Sequence, residues 1–245
     1  MLLESSKKEE QREKEAFCME SPREYYPGEE RPFIEAHDLG IRTLIGSPYQ
    51  NVNLTIPRDT FALICGEHGS GKTALLLTLA GHMVPTKGSL MVAGYEFPRE
   101  RNKVTKIAGL GIFYGLNDLE ENIPCLSLLR AELDLYGKPS RKAAAVDYLD
   151  RWGLAHIQNS YVRDLTQVDL ARFGIALGMA KDPDLLVVDD LEEQLTLEQV
   201  RQVAALLQHI AHDLHKVVVA GCTEGYLTRL ADISFTIERE ESRGL

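Results

Sequence analysis

Gly66-Glu67-His68-Gly69-Ser70-Gly71-Lys72-Thr73 fits the pattern G-x-x-x-x-G-K-S/T, a loop that wraps its backbone around phosphates. The apolar, strand-like run Phe61-Ala62-Leu63-Ile64-Cys65 leads into it. The helix-like run Ala74-Leu75-Leu76-Leu77-Thr78-Leu79-Ala80 leads out. Strand, glycine-rich turn and helix, in that order, are the context the pattern needs. The glycines let backbone N–H groups turn inward, and the start of the helix adds partial positive charge. Gly66, Glu67, His68, Gly69, Ser70, Gly71, Lys72, Thr73 and Ala74 then line a polyphosphate site. Lys72 reaches the β- and γ-phosphates, and the Thr73 hydroxyl meets Mg²⁺. His68 sits at a freely variable position and is given no catalytic role. The motif implies a bound nucleoside triphosphate and leaves the chemistry open, because many reactions share it.

Around this loop lie 245 residues, enough for one large α/β domain or two small ones, with 44% apolar residues to build a core. The net charge of −10 disfavours nonspecific nucleic-acid binding, so no nucleic-acid partner is expected. Cys18, Cys65, Cys125 and Cys222 are far apart and show neither metal-ligand spacing nor a dense disulfide pattern. That favours a reducing compartment. No apolar run approaches the ~20 residues of a membrane helix, and Ser5 to Glu15 is too charged for a signal peptide. A cytoplasmic location is expected, with room for a peripheral place on the inner face of the cell membrane.

Residues 1–30 carry five basic and nine acidic side chains and read as a disordered charged tail. From Arg31 the texture changes. Short strands are expected at Phe33–Ala36, Val52–Ile56, Ser89–Gly94 and Leu110–Tyr114, with a turn at Gly46-Ser47-Pro48. Helical spacing follows over Leu126–Tyr136, Ala143–Trp152 and Asp169–Ala180, giving a helix-rich segment at about 117–181. Asp184–Asp190 reads as a buried parallel strand ending in carboxylates, Leu197–His212 as a helix, Lys216–Ala220 as a second buried strand and Ile233–Glu238 as an edge strand. Strands alternating with helices predict a mostly parallel sheet. His209, His212 and His215 show no pairing with carboxylates in the sequence and read as surface residues.

Residues 33–240 resemble the ATP-binding cassette of ABC transporters in order and spacing of segments. Pro85-Thr86-Lys87-Gly88-Ser89 and Gly94 resemble the stretch after that family's first helix. Asp182-Pro183, the apolar residues 185–188 and Asp189 resemble the strand that bears its Mg²⁺-associated Asp. Leu165 stands where the signature segment begins, with Arg172 in register after it. Trp152-Gly153-Leu154 resembles the turn that ends the helical subdomain, and Ala231-Asp232-Ile233 the stretch after the switch histidine. The resemblance implies an α/β, P-loop NTPase ABC-type cassette over 31–245. Its mostly parallel sheet core carries an antiparallel β region and an inserted helical subdomain. It implies ATP and Mg²⁺ as cofactors, with Thr73 and Asp189 at the metal. The implied partners are a membrane-spanning permease subunit and a second cassette, the same or different, met face to face.

Several positions depart from the family pattern. The signature, Leu-Ser-Gly-Gly-Gln in the family, reads Leu165-Thr166-Gln167-Val168-Asp169. Side chains replace glycines where close backbone approach is needed, and Asp169 brings negative charge toward a phosphate. One like-charge contact at ~4 Å and an effective dielectric of ~20 is worth on the order of 4 kcal/mol before screening. The catalytic Glu is replaced by Asp190, one methylene shorter and a candidate weak base. The switch His is replaced by Cys222, a weak donor. The loop Gln falls on Gly115, with Asn117 the nearest amide, and the Asp of a following loop falls on Thr196. The adenine-stacking aromatic has no clear counterpart: Thr43 lies near its register, and Tyr49 fits only after a loop shift. Both halves of a composite site are altered. The expectation is therefore Mg-ATP binding with weak or absent hydrolysis, in a transporter subunit or in a non-transport ATP-sensing or scaffold protein.

Overall fold

The computed structural model describes residues 31–43, 46–223 and 225–238. The expected charged tail, 1–30, lies outside the described residues. Two sheets organise the described residues. A four-stranded antiparallel sheet runs in the order β2-β1-β4-β5, with β1 Ile34–Gly40, β2 Val52–Ile56, β4 Lys87–Val92 and β5 Tyr95–Phe97. A five-stranded parallel sheet runs β6-β7-β8-β3-β9, with β3 Phe61–Cys65, β6 Ala108–Leu110, β7 Leu185–Val188, β8 Val217–Cys222 and β9 Ile233–Thr236. The helices are α1 Lys72–Leu79, α2 Arg101–Ile107, α3 Cys125–Leu135, α4 Lys142–Arg151, α5 Gln167–Gly178 and α6 Leu197–His212.

The inner strands β3, β7 and β8 are buried along their whole lengths, which is why they read as unbroken apolar runs rather than alternating ones. Ala62 and Ile64 face the core shared with α1 and the antiparallel sheet, beside Leu75, Leu76 and Leu79. Phe61, Leu63 and Cys65 face the opposite core, built with Val203, Leu207 and Ile210 of α6. Each fully buried aliphatic or aromatic side chain contributes ~1.5–3 kcal/mol. A third core joins α3 and α4 to one side of α5 through Leu129, Leu149 and Phe173. The opposite side of α5, at Ile175, packs under the parallel sheet together with Met179, which caps the helix.

Sequence and structure part company at small elements. The strand expected over Leu110–Tyr114 lies upstream, at Ala108–Leu110. Gly109 sets that register: a Cβ there would stand 2.3 Å from the Gly178 carbonyl oxygen, so only glycine lets β6 lie against α5. Gly111 adds one further bond to the Val187 carbonyl, and Ile112 and Phe113 then enter the core as loop residues. β5 has three residues, and α2 buries only Val104; neither carries enough apolar period to be read from sequence.

Candidate nucleotide-binding site

The loop of interest leaves the carboxyl end of β3, a central strand, and Asp189 leaves the carboxyl end of β7; β8 runs between them. Parallel sheets bind ligands at this end. β8 anchors both loops. The Gly66 N–H donates to the Cys222 carbonyl (3.1 Å), and the Leu191 N–H to the Gly221 carbonyl (2.9 Å). Gly221 does something the sequence reading missed. A Cβ there would come within 2.7 Å of Asp189 Oδ1. Its absence lets the Asp189 carboxylate cross β8 and take the Thr73 hydroxyl at 2.5 Å on Oδ2. The signal was present: a glycine inside an apolar strand marks a close approach.

Lys72 is 5% exposed and sits inside its own loop. Its ammonium donates to the carbonyls of Gly66 (2.8 Å) and Glu67 (3.2 Å) and to Thr223 Oγ1 (3.4 Å). Asp190 Oδ1 stands 3.8 Å from the same nitrogen and has no hydrogen-bond partner among the described residues, although it is buried. The fully buried Ser70 hydroxyl is likewise without a partner. Glu67, His68 and Gly69 are exposed at the lip, and Thr73 is exposed at the first turn of α1. A buried ammonium, an orphaned hydroxyl and the N-terminus of an eight-residue helix belong to one loop–helix junction, Gly66–Thr73. That donor set fits a polyphosphate, and the Thr73–Asp189 pair supplies hard oxygen ligands suited to Mg²⁺.

Asp189 carries an electrostatic load. Burial pushes its carboxyl above the ordinary range; the Thr73 hydrogen bond opposes this, and the Asp190 carboxylate adds to it. In the unfolded chain an Asp ionises near ~3.9. Because the folded value is higher, ionised Asp189 subtracts stability at neutral pH, and the penalty fades as pH falls through the folded value. Asp189→Asn is therefore expected to stabilise the nucleotide-free chain at neutral pH by roughly 1 kcal/mol, about 2–4 °C in Tm. The gain should vanish on acidification, and Mg²⁺ should no longer strengthen nucleotide binding. Calorimetric melts across pH, and titrations with and without Mg²⁺, check this.

The family model described as ABC transporter matches residues 49–192, more than half of the chain. The chain belongs to that family. It is 27% identical over 173 residues to methionine import ATP-binding protein MetN 1 of Rhodopseudomonas palustris, covering 69% of this chain and 46% of that protein. It is 35% identical over 182 residues to zinc import ATP-binding protein ZnuC of Marinobacter nauticus, covering 69% and 64%. The chain thus spans about half to two thirds of the length of these curated relatives. Among solved structures, cbiO1 from Clostridium perfringens, part of the ABC transporter complex cbiONQ, superposes with a TM-score of 0.74 at 19% identity, over 85% of each chain. The fold expected from sequence, an α/β ABC cassette of the P-loop class, is the one observed, and ATP with Mg²⁺ is the ligand pair general to this family.

Against the ABC pattern, the departing positions have local roles. Asn117 holds its own loop: its amide donates to the Gly111 carbonyl (2.9 Å) and its oxygen accepts from the Phe113 N–H (2.7 Å). Thr196 caps α6 through a reciprocal box with Gln199. Tyr49 is 3% exposed, its hydroxyl bound to Thr78 at 2.8 Å, and burial pushes its pKa to about 12. It is a core residue and cannot serve as an adenine platform without leaving the core. Thr166 caps α5, and Asp169 turns back onto it, taking the Thr166 hydroxyl at 2.7 Å. His156, unremarked in the sequence, lies 3.0 Å from the other Asp169 oxygen. Asp169 is thus held by hydrogen bonds to Thr166 and His156 within this chain. Gln167 is exposed on the first turn of α5, where the family has glycine.

Two more findings correct the sequence reading. His209, His212 and His215 are at the surface as expected, yet each meets a carboxylate: Asp213 at 2.6 Å, Asp232 at 2.9 Å and Asp59 at 3.0 Å. Only the first pair is close in sequence. Glu192, two residues past Asp190, accepts a hydrogen bond from the Thr223 N–H just beyond Cys222. A second acidic side chain thus borders the place where the γ-phosphate is expected.

Proposed function

We propose that this chain is the ATP-binding subunit of an ABC-type transporter, taking Mg-ATP on the loop Gly66–Ala74 with weak or absent hydrolysis. The observation that carries the reading is that buried Lys72, orphaned Ser70 and Thr73, hydrogen-bonded to Asp189, stand on one loop–helix junction. Lys72 would leave the Gly66 and Glu67 carbonyls for the β- and γ-phosphates. Thr73 and Asp189 would hold Mg²⁺, which supplies charge neutralisation on the phosphates. Asp190, beside Lys72, is the candidate weak base. Its shortened side chain supports slow turnover, since a displacement of about 1 Å can lower a rate on the order of 10²-fold. Cys222 in place of an imidazole and Gln167-Val168 in place of glycines act in the same direction.

The relatives named above, methionine and zinc import ATP-binding proteins, support a transporter role for the chain. Among the described residues no helix is long and apolar enough to cross a membrane, and the partner proposed on the family pattern is a membrane-spanning permease subunit. The cassette then sits peripherally on the cytoplasmic face, opposite a second cassette, with residues 117–181 as its helical subdomain. The runner-up, a soluble ATP-sensing or scaffold protein, draws on the loss of the loop glutamine at Gly115. Purification from detergent-solubilised membranes separates the two. A membrane-spanning protein recovered with this chain supports the transporter reading, and a soluble partner alone supports the sensor.

A further inference from the structure

Cys65 and Cys222 are 157 residues apart in sequence and in register on neighbouring parallel strands. Both side chains enter the same core, the one facing α6, and their Sγ atoms lie 2.6 Å apart. Strands in a sheet run about 4.8 Å apart, inside the Cα separation of about 4.4–6.8 Å that a disulfide requires. Each cysteine also ends its strand at the nucleotide site. Gly66 follows Cys65, and Thr223 follows Cys222. Lys72 donates to the Gly66 carbonyl and to the Thr223 hydroxyl, the residues next to the two sulfurs.

We propose that Cys65 and Cys222 form a reversible disulfide that holds the loop with Lys72 bound to the Gly66 carbonyl and the Thr223 hydroxyl. The inference rests on the nucleotide reading above for its consequence, and on geometry alone for the bond. A small peroxide is the oxidant that suits so buried a pair. The Cys65 sulfur attacks one peroxide oxygen; the O–O bond breaks, a sulfenic acid forms and one water leaves. The Cys222 sulfur then attacks the Cys65 sulfur; the S–S bond forms, the S–O bond breaks, and hydroxide leaves as water with the Cys222 proton. Two thiols lose two electrons, and one peroxide becomes two waters. Dithiol reductants reverse the bond by exchange.

The order of attack follows from the surroundings. The hydrogen bond shared with Cys222 lowers the Cys65 pKa against burial and the Glu192 carboxylate, with the Lys72 ammonium helping, whereas the same contact and burial raise Cys222. Cys65 also keeps 4% exposure beside the open loop, against none for Cys222. Cys125 is a built-in contrast: it is buried in the helical core, and burial pushes its pKa to about 11.

The consequence lies with Lys72. To meet phosphates, its ammonium must let go of the Gly66 carbonyl and the Thr223 hydroxyl. A covalent tie between the preceding residues keeps those acceptors gathered around it. The oxidised chain then binds Mg-ATP more weakly, and by reciprocity Mg-ATP disfavours the disulfide by the same factor.

The test treats the whole reduced chain with hydrogen peroxide, blocks free thiols, maps the peptides, and measures the Mg-ATP Kd before oxidation, after it, and after dithiothreitol. Expected are a Cys65–Cys222 linked peptide, a Kd at least threefold weaker, and full recovery on reduction. Cys222→Ala and Cys65→Ala should each show no peroxide-dependent change in Kd. Finding both cysteines as free thiols, or Cys65 as sulfinic acid without the link, overturns the bond. A linked peptide with an unchanged Kd overturns the regulation. A reduced chain that does not bind Mg-ATP defeats the nucleotide reading, and the regulation with it, while the peptide map still decides the bond.

Discussion

Lys72→Ala is expected to weaken Mg-ATP binding at least about a hundredfold. The ammonium is held by the Gly66 and Glu67 carbonyls and, on the reading proposed above, passes to phosphate oxygens. A charge-assisted hydrogen bond contributes ~1.5–3 kcal/mol, and ~2.7 kcal/mol is a hundredfold in Kd. The measurement is thermal protection: Mg-ATP should raise the Tm of the parent chain and leave the variant's unchanged. Melting without nucleotide controls for folding, since the substitution also removes the partner of two loop carbonyls and leaves Asp190 without its neighbouring cation. Undiminished protection in the variant would place the nucleotide somewhere other than this loop.

Gly71→Ala is expected to destabilise the chain by roughly 3 kcal/mol, whereas Gly69→Ala, two residues away, is expected to cost only about 1 kcal/mol. Both glycines have positive φ, +94° and +79°. An alanine in that region loses ~1–2 kcal/mol at either position. The difference is what lies beyond. A Cβ on Gly71 would stand 2.1 Å from the Pro48 carbonyl oxygen, whereas one on Gly69 meets nothing within 4 Å. Relieving the Gly71 clash means moving the Pro48–Tyr49 backbone, and Tyr49 is locked in the core; strain of that kind adds ~1–3 kcal/mol. For a domain of this size the gap between the variants is about 4–8 °C in Tm. Equal Tm values would mean that the 46–50 loop does not press on the phosphate loop.

That packing also marks how far the sequence could be read. The strand–turn–helix around Gly66–Thr73 was legible because its demands are local: glycines for the turn, an apolar strand before it and a helix after it. α6 was read at its observed bounds, Leu197–His212, because six buried residues recur at helical spacing between Thr196 and the turn at Asp213. Central strands were legible as unbroken apolar runs. What escaped is what the strand order β6-β7-β8-β3-β9 brings together. Gly221 makes room for a carboxylate from β7, Glu192 reaches Thr223, and His156 meets Asp169 across 13 residues. The cysteines show it best: far apart along the chain, they read as unrelated, and two parallel strands set them side by side. The burial of Tyr49 was not legible either, since an aromatic near a nucleotide loop gives no local sign of whether its ring enters the core.

The account turns on a triphosphate that is held and hardly cleaved. Binding and steady-state phosphate release, recorded together while Mg-ATP is titrated into the purified chain, test it most directly. Saturable binding with turnover below about 1 s⁻¹, the lower edge of ordinary enzyme rates, is the predicted result. Turnover at or above that rate, lost in Lys72→Ala, would contradict it.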